Sequence, residues 1–236
     1  MIFVWGCSHA RRDYYQAPPP EPAAIRVTST MSQDLFTIAL TALDREGLTL
    51  GAVDVVSELL LGEIMGEGQR AGQLLLVRHN PESPESVAIE VRYGRFGNPR
   101  EEGRLADALA TSFASVTESD ESLPIEHSSR TTKDLAGRWI DLEPAVAQAG
   151  KSKQSVEFAV VGVDRWRYAT FFDVRTLAGA EGRLTVIGDR ESATGPRAAW
   201  VRLGRFGDPQ AEADLLDRVQ TALTELRRMQ RLPGAR

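Results

Sequence analysis

The stretch Val91-Arg92-Tyr93-Gly94-Arg95-Phe96-Gly97-Asn98-Pro99 returns 110 residues later as Val201-Arg202-Leu203-Gly204-Arg205-Phe206-Gly207-Asp208-Pro209. Carried forward at the same offset, Glu102 meets Glu212, Leu105 meets Leu215, Asp107 meets Asp217 and Thr111 meets Thr221, so that 11 of the 21 positions from Val91 to Thr111 are identical. Shared helix propensity does not produce such agreement; duplication of a structural unit does. The likeness runs upstream more faintly, through Gln33-Asp34-Leu35 and Lys133-Asp134-Leu135 at an offset of 100, which implies a gain or loss of about ten residues inside one copy. The chain divides accordingly into an N-terminal segment 1–23, a first unit 24–116, a linker 117–123 and a second unit 124–236. The linker sets Glu118, Asp120 and Glu121 among Ser and Thr, with little to bury.

Within each unit the apolar period switches from helix to strand and back. Leu35, Ile38, Ala39, Ala42 and Leu43 recur at helical spacing after Ser32 as N-cap and before Gly47 as stop, and the counterpart helix is expected from Thr132 to Gly150. Val55 to Ile64, Gln73 to His79 and Val87 to Tyr93 read as strands. In the second unit Trp166 to Arg175, Arg183 to Gly188 and Arg197 to Leu203 match them, with Val156 to Val163 as an additional strand. Short connections favour antiparallel pairing. Each unit closes on a helix with one apolar stripe, Leu105, Leu109, Ser112, Phe113 and Val116 in the first and Leu215, Val219, Ala222, Leu223, Leu226 and Met229 in the second. Val87, Ile89, Val91 and Tyr93 alternate with Ala88, Glu90 and Arg92, which buries one sheet face and leaves the other wetter. The expected fold class is α+β: two tandem related units, each a mainly antiparallel sheet with helices on one face.

Composition narrows the functional classes. The 236 residues are 42% hydrophobic and 26% charged, which excludes a wholly disordered, collagen-like or rod-like chain. A net charge of -5 argues against attraction to nucleic-acid phosphates. No apolar run approaches the roughly 18 residues that a bilayer-spanning helix needs. A fold of this length hides about 70% of its unfolded surface, so it needs no disulfide or metal for stability.

The N-terminus reads Met1-Ile2-Phe3-Val4-Trp5-Gly6-Cys7-Ser8, an apolar stretch and a small residue directly before the only cysteine. This resembles the end of a bacterial lipoprotein signal, in which the cysteine is acylated and becomes the new N-terminus. Val4 and Gly6 match that pattern, Trp5 departs from it, and the basic leader and most of the apolar core are missing. A start assigned too far downstream accounts for the gap. The resemblance implies Cys7 as lipid attachment site, membrane lipid as a partner and the cell envelope as location, with a cytoplasmic protein carrying an ordinary thiol as the alternative. Ala17-Pro18-Pro19-Pro20-Glu21-Pro22 then forms an extended polyproline spacer of about 3 Å per residue.

The Gly-Arg-Phe-Gly-Asn/Asp-Pro motif joins strand to helix twice. Its structural role is clear: glycine frees the backbone at the strand exit, Asn98 or Asp208 caps the helix, and Pro99 or Pro209 fills its first position. Arg95, Gly97, Arg205 and Gly207 also stand where an anion or a partner would contact a helix N-terminus. The motif lacks the lysine and hydroxyl of a phosphate loop and the glycine spacing of a dinucleotide fold, so no cofactor is expected. His9, His79 and His127 are dispersed, which leaves no metal site, and no nucleophile elbow is present. The carboxylates Glu101, Glu102, Asp141 and Glu143 read as helix-start or solvated charges. Trp166, Tyr168, Thr170, Phe172 and Val174 alternate as one strand face, either core or a protein interface. These readings lead to a noncatalytic envelope lipoprotein serving as a protein-interaction or structural module. The alternatives are a soluble module binding a small anion at the two turns, or an enzyme without a recognisable motif.

Overall fold

The computed structural model describes residues 24–30, 35–56, 59–67, 69–78, 85–94, 97–115, 132–151, 157–191, 195–196, 198–204 and 207–230. The first unit runs β1 (Ala24–Ser29), α1 (Leu35–Arg45), β2 (Thr49–Val56), β3 (Leu59–Gly66), β4 (Gln69–Arg78), β5 (Ser86–Tyr93) and α2 (Pro99–Ala114). The second repeats that order as β6 (Thr132–Asp134), α3 (Trp139–Gly150), β7 (Phe158–Arg165), β8 (Ala169–Thr176), β9 (Glu181–Ile187), β10 (Ala198–Leu203) and α4 (Pro209–Gln230). Each unit builds one antiparallel five-stranded sheet, ordered β1-β5-β4-β3-β2 and β6-β10-β9-β8-β7. Short connections make β2 to β5 a meander, whereas α1 carries the chain from β1 at one edge to β2 at the other. The fold class is thus the expected α+β with two tandem units.

Two helices cover one face of each sheet. In the first unit Leu43, Leu105, Leu109 and Phe113 close over Leu74 and Ile89; in the second Val146, Leu215, Val219 and Leu223 close over Phe172 and Val186. The opposite faces are not left to water, as the alternation in β5 suggested. Leu59, Leu75, Val77 and Ala88 of the first sheet pack against Trp166, Phe171, Ile187 and Trp200 from the second unit. Every residue of β5 from Ser86 to Arg92 is consequently buried. The layers run helix, sheet, sheet, helix, and at the offset of 110 the seam residues Leu59, Val77 and Ala88 correspond to Ala169, Ile187 and Ala198. The two sheets meet through equivalent positions, as the two halves of a symmetric dimer do.

Several expected elements are corrected. Val55 to Ile64 is the meeting of two strands, β2 and β3, because both are apolar and only two residues separate them. The counterpart of α1 begins at Trp139 rather than Thr132, since Thr132–Asp134 forms β6 on the edge of its sheet. The Gln33-Asp34-Leu35 likeness does not hold in three dimensions: Leu35 opens α1, whereas Lys133 and Asp134 lie in β6. Register makes Arg26 the equivalent of Lys133, because Arg26 pairs with Ile89 and Lys133 with Ala199. Function agrees with register, as Arg26 bonds Asp107 of α2 at 2.5 Å and Lys133 bonds Asp217 of α4. Nor is β7 an addition, for it holds the place of β2 at the sheet edge. Both outer edges carry a register shift, between Leu50 and Val53 in β2 and between Val160 and Gly162 in β7. Such bulges blunt a free edge against adding strands.

The duplication also reaches back to β4 and β9. A Cβ on Gly72 would collide with the carbonyl oxygen of Arg92, and one on Gly182 with that of Arg202. Only glycine lets these neighbouring strands approach so closely.

Candidate functional site

The repeated strand-to-helix turn closes alike in both units. Gly94, Gly97, Gly204 and Gly207 have φ of +77°, +81°, +67° and +79°, where a side chain is strained. Asn98 Oδ1 accepts from the Glu101 amide at 3.4 Å and Asp208 Oδ1 from the Ala211 amide at 3.1 Å, capping α2 and α4. Beneath each cap sits a buried glutamate. Glu102 Oε1 accepts from the amides of Tyr93 at 3.0 Å and Asn98 at 3.2 Å; Glu212 Oε1 accepts from Leu203 at 2.9 Å and Asp208 at 3.1 Å. One carboxylate therefore ties the strand end to the helix start, a use that its reading as an ordinary helix-start charge did not include.

Gly97 and Gly207 shape these turns. Nearby amides are engaged by Asn98 and Glu102 or by Asp208 and Glu212, and the buried carboxylates oppose an added anion. The other members of the expected sites, Arg95, Arg205 and Cys7, lie outside the described residues, as do His9, His79 and His127.

A second concentration of polar groups lies in the seam, where sequence reasoning placed solvent. Glu90 on β5 is fully buried and accepts from the backbone amides of Arg167 at 2.9 Å and Tyr168 at 2.8 Å, just before β8. Two residues on, Arg92 stacks on Trp166 with its guanidinium carbon 3.7 Å from the ring centre. It donates to Asp164 Oδ1 at 2.7 Å and to the Arg165 carbonyl, while the Trp166 indole donates to Asp164 Oδ2 at 3.0 Å. Arg165 in turn clasps Glu143 of α3 through two bonds of 2.6 and 2.7 Å. The turn between β7 and β8 is thereby locked onto β5 by charge-assisted bonds and a cation stacked on an aromatic face.

Burial pushes the Glu90 carboxyl above its ordinary value, opposed by the Tyr168 and Arg167 amides and by the charges of Arg92 and Arg167. The Glu143 carboxyl is held below its ordinary value by the bond from Arg165, and Asp141 by that from Arg138. The aromatic row splits because the turn before β8 changes the alternation: Trp166, Tyr168 and Phe171 enter the seam, whereas Phe172 and Val174 face the helices. A signal for the seam was present in the repeat. Where the first copy has Glu90 the second has Trp200, a pairing foreign to a face exposed only to water. Among the described residues no group of three His, Cys, Asp or Glu is placed to hold a metal ion.

The arrangement defines the class as a duplicated α+β protein of two stacked sheets. No family model matches the chain, and no curated protein matches it. Solved structures similar to it include the di-domain ARO/CYC StfQ from the steffimycin biosynthetic pathway, at 10% identity and a TM-score of 0.24, over 86% of this chain and 98% of that one. The expectation that the chain is not an enzyme is corrected on this finding. The lack of a recognisable sequence motif is by itself no ground for excluding catalysis. A TM-score of 0.24 assigns no reaction and no site residue.

Proposed function

We propose that the chain is an envelope-tethered interaction module, with Cys7 as lipid attachment point, the proline-rich segment as spacer, and the paired units as the body that meets a protein partner. The observation that carries this reading is the order of parts. The lipoprotein-like Val4-Trp5-Gly6-Cys7 is followed by the Ala17 to Pro22 tract, which ends two residues before β1 begins at Ala24. The sealed seam supports it from the side of the body. With the inner sheet faces covered by each other, a partner meets the outer helical layers and the edges β2 and β7.

Expression with the in-frame sequence upstream of Met1 and a labelled fatty acid tests the anchor. Label is expected on the protein and absent from Cys7→Ser. Equal labelling of both chains, or of neither, overturns the lipoprotein reading.

A further inference from the structure

We propose that the end of the second unit formed by the start of α3 and the last turn of α4 docks on an anionic phospholipid surface; this rests on the anchored reading above and adds an orientation to it. The inward row of α3, Leu142, Ala145, Val146 and Ala149, is buried as an amphipathic helix requires. Its outward row is apolar as well: Ile140 is 77% exposed, and Pro144 and Ala147 follow it on the exposed side. Beside it ends α4, where Gln230 donates to Asp141 Oδ1 at 2.9 Å and the preceding Met229, expected on the buried stripe, is instead 47% exposed because the last turn runs past the sheet. Apolar side chains from two helices thus stand outward at one end of the body.

The charges around them select an anionic surface. Most nearby acids are already paired, Asp141 with Arg138, Glu143 with Arg165, Asp164 with Arg92, and Asp189 and Glu191 with Arg167, while the exposed Glu225 of α4 accepts from Gln148 of α3 at 3.0 Å. Arg227 and Arg228, exposed on the last turn of α4, have no ion pair among the described residues. Exposed apolar groups bordered by arginines that no acid among the described residues pairs suit the boundary of anionic headgroups and acyl chains. The chain as a whole carries a net charge of -5, so the rest of its surface is turned away from such a membrane.

The start of the described chain is linked to this end of the body through a series of contacts across the seam. Ala24, where the described chain begins, pairs with Val91. The adjacent Arg92 binds Asp164 and the Arg165 carbonyl, and Arg165 holds Glu143, one turn along α3 from Ile140.

The test uses the full chain with Cys7→Ser, sedimented with vesicles of mixed phosphatidylglycerol and phosphatidylcholine or of phosphatidylcholine alone. Several-fold more protein is expected with the anionic vesicles, and the excess should fall as salt rises. Ile140→Glu with Met229→Glu, and separately Arg227→Glu with Arg228→Glu, should each remove the excess while far-ultraviolet circular dichroism stays unchanged. Equal sedimentation with both vesicles, or an excess that survives both pairs of substitutions, overturns the docking face. Fatty-acid labelling reads the anchor separately: label without vesicle preference removes the face and keeps the anchor, and preference without label does the reverse.

Discussion

Glu90 shows how much one side chain depends on its surroundings. On a wet sheet face it would be an unremarked surface acid; in the seam it is fully buried and its oxygens satisfy two amides of the other unit. Burial raises its pKa in the fold, so its contribution to stability is fully present below the ordinary glutamate value of 4.5 and is lost as pH rises through the raised value. Glu143 and Asp141 have the opposite sign, since their lowered values give stability above the ordinary carboxylate range that is lost as pH falls through them. Glu90→Gln removes only the first effect. The melting-temperature advantage of the native chain over Glu90→Gln should therefore shrink as pH is raised from about 4.5, the ordinary value. An advantage that is flat with pH would show that Glu90 does not change its charge against the fold.

At the scale of elements, the strand-to-helix turn separates two contributions that the motif runs together. Asn98 caps the exposed start of α2, and Asn98→Ala should cost about 1 kcal/mol. Glu102 is 1% exposed and holds the amides of Tyr93 and Asn98, so Glu102→Ala, which leaves both without their acceptor, should cost about 2–3 kcal/mol. Urea denaturation of the two variants measures the difference, and equal losses would assign the stability to the cap alone. The turn was legible because Gly, Asn or Asp, and Pro each have a local backbone reason to be there. Glu102 recurred as Glu212 in the sequence, yet its reach back to Tyr93 depends on where the strand ends. Strands β1 and β6 were missed for a related reason. They are short edges held by β5, β10 and an ion pair to α2 or α4, and periodicity within six or three residues carries little signal.

For the whole molecule, two helix-side cores and one seam make three apolar clusters, and the seam belongs to neither unit alone. Unfolding followed by tryptophan fluorescence and by circular dichroism should therefore give coincident curves. Leu75→Asp, which buries a charge in the seam and spares both helix-side cores, should lower the midpoint and separate the curves. Curves that remain coincident in the variant would show that cooperation does not pass through the seam. The duplication, the order of strands and helices late in each unit, and the sheet face turned to the helices were all legible, because each rests on local backbone preference and an apolar period read along the chain. The partner of the other face was not. Ala88, Glu90 and Arg92 read as solvated since a polar residue prefers water unless something better replaces it. Whether the β7–β8 turn supplies amides, a carboxylate and an indole to replace it depends on residues about 75 positions away in sequence. Pairing the two sheets was thus a decision of tertiary structure: desolvating a charge is favourable only when distant groups converge on it, and no period along one strand records them.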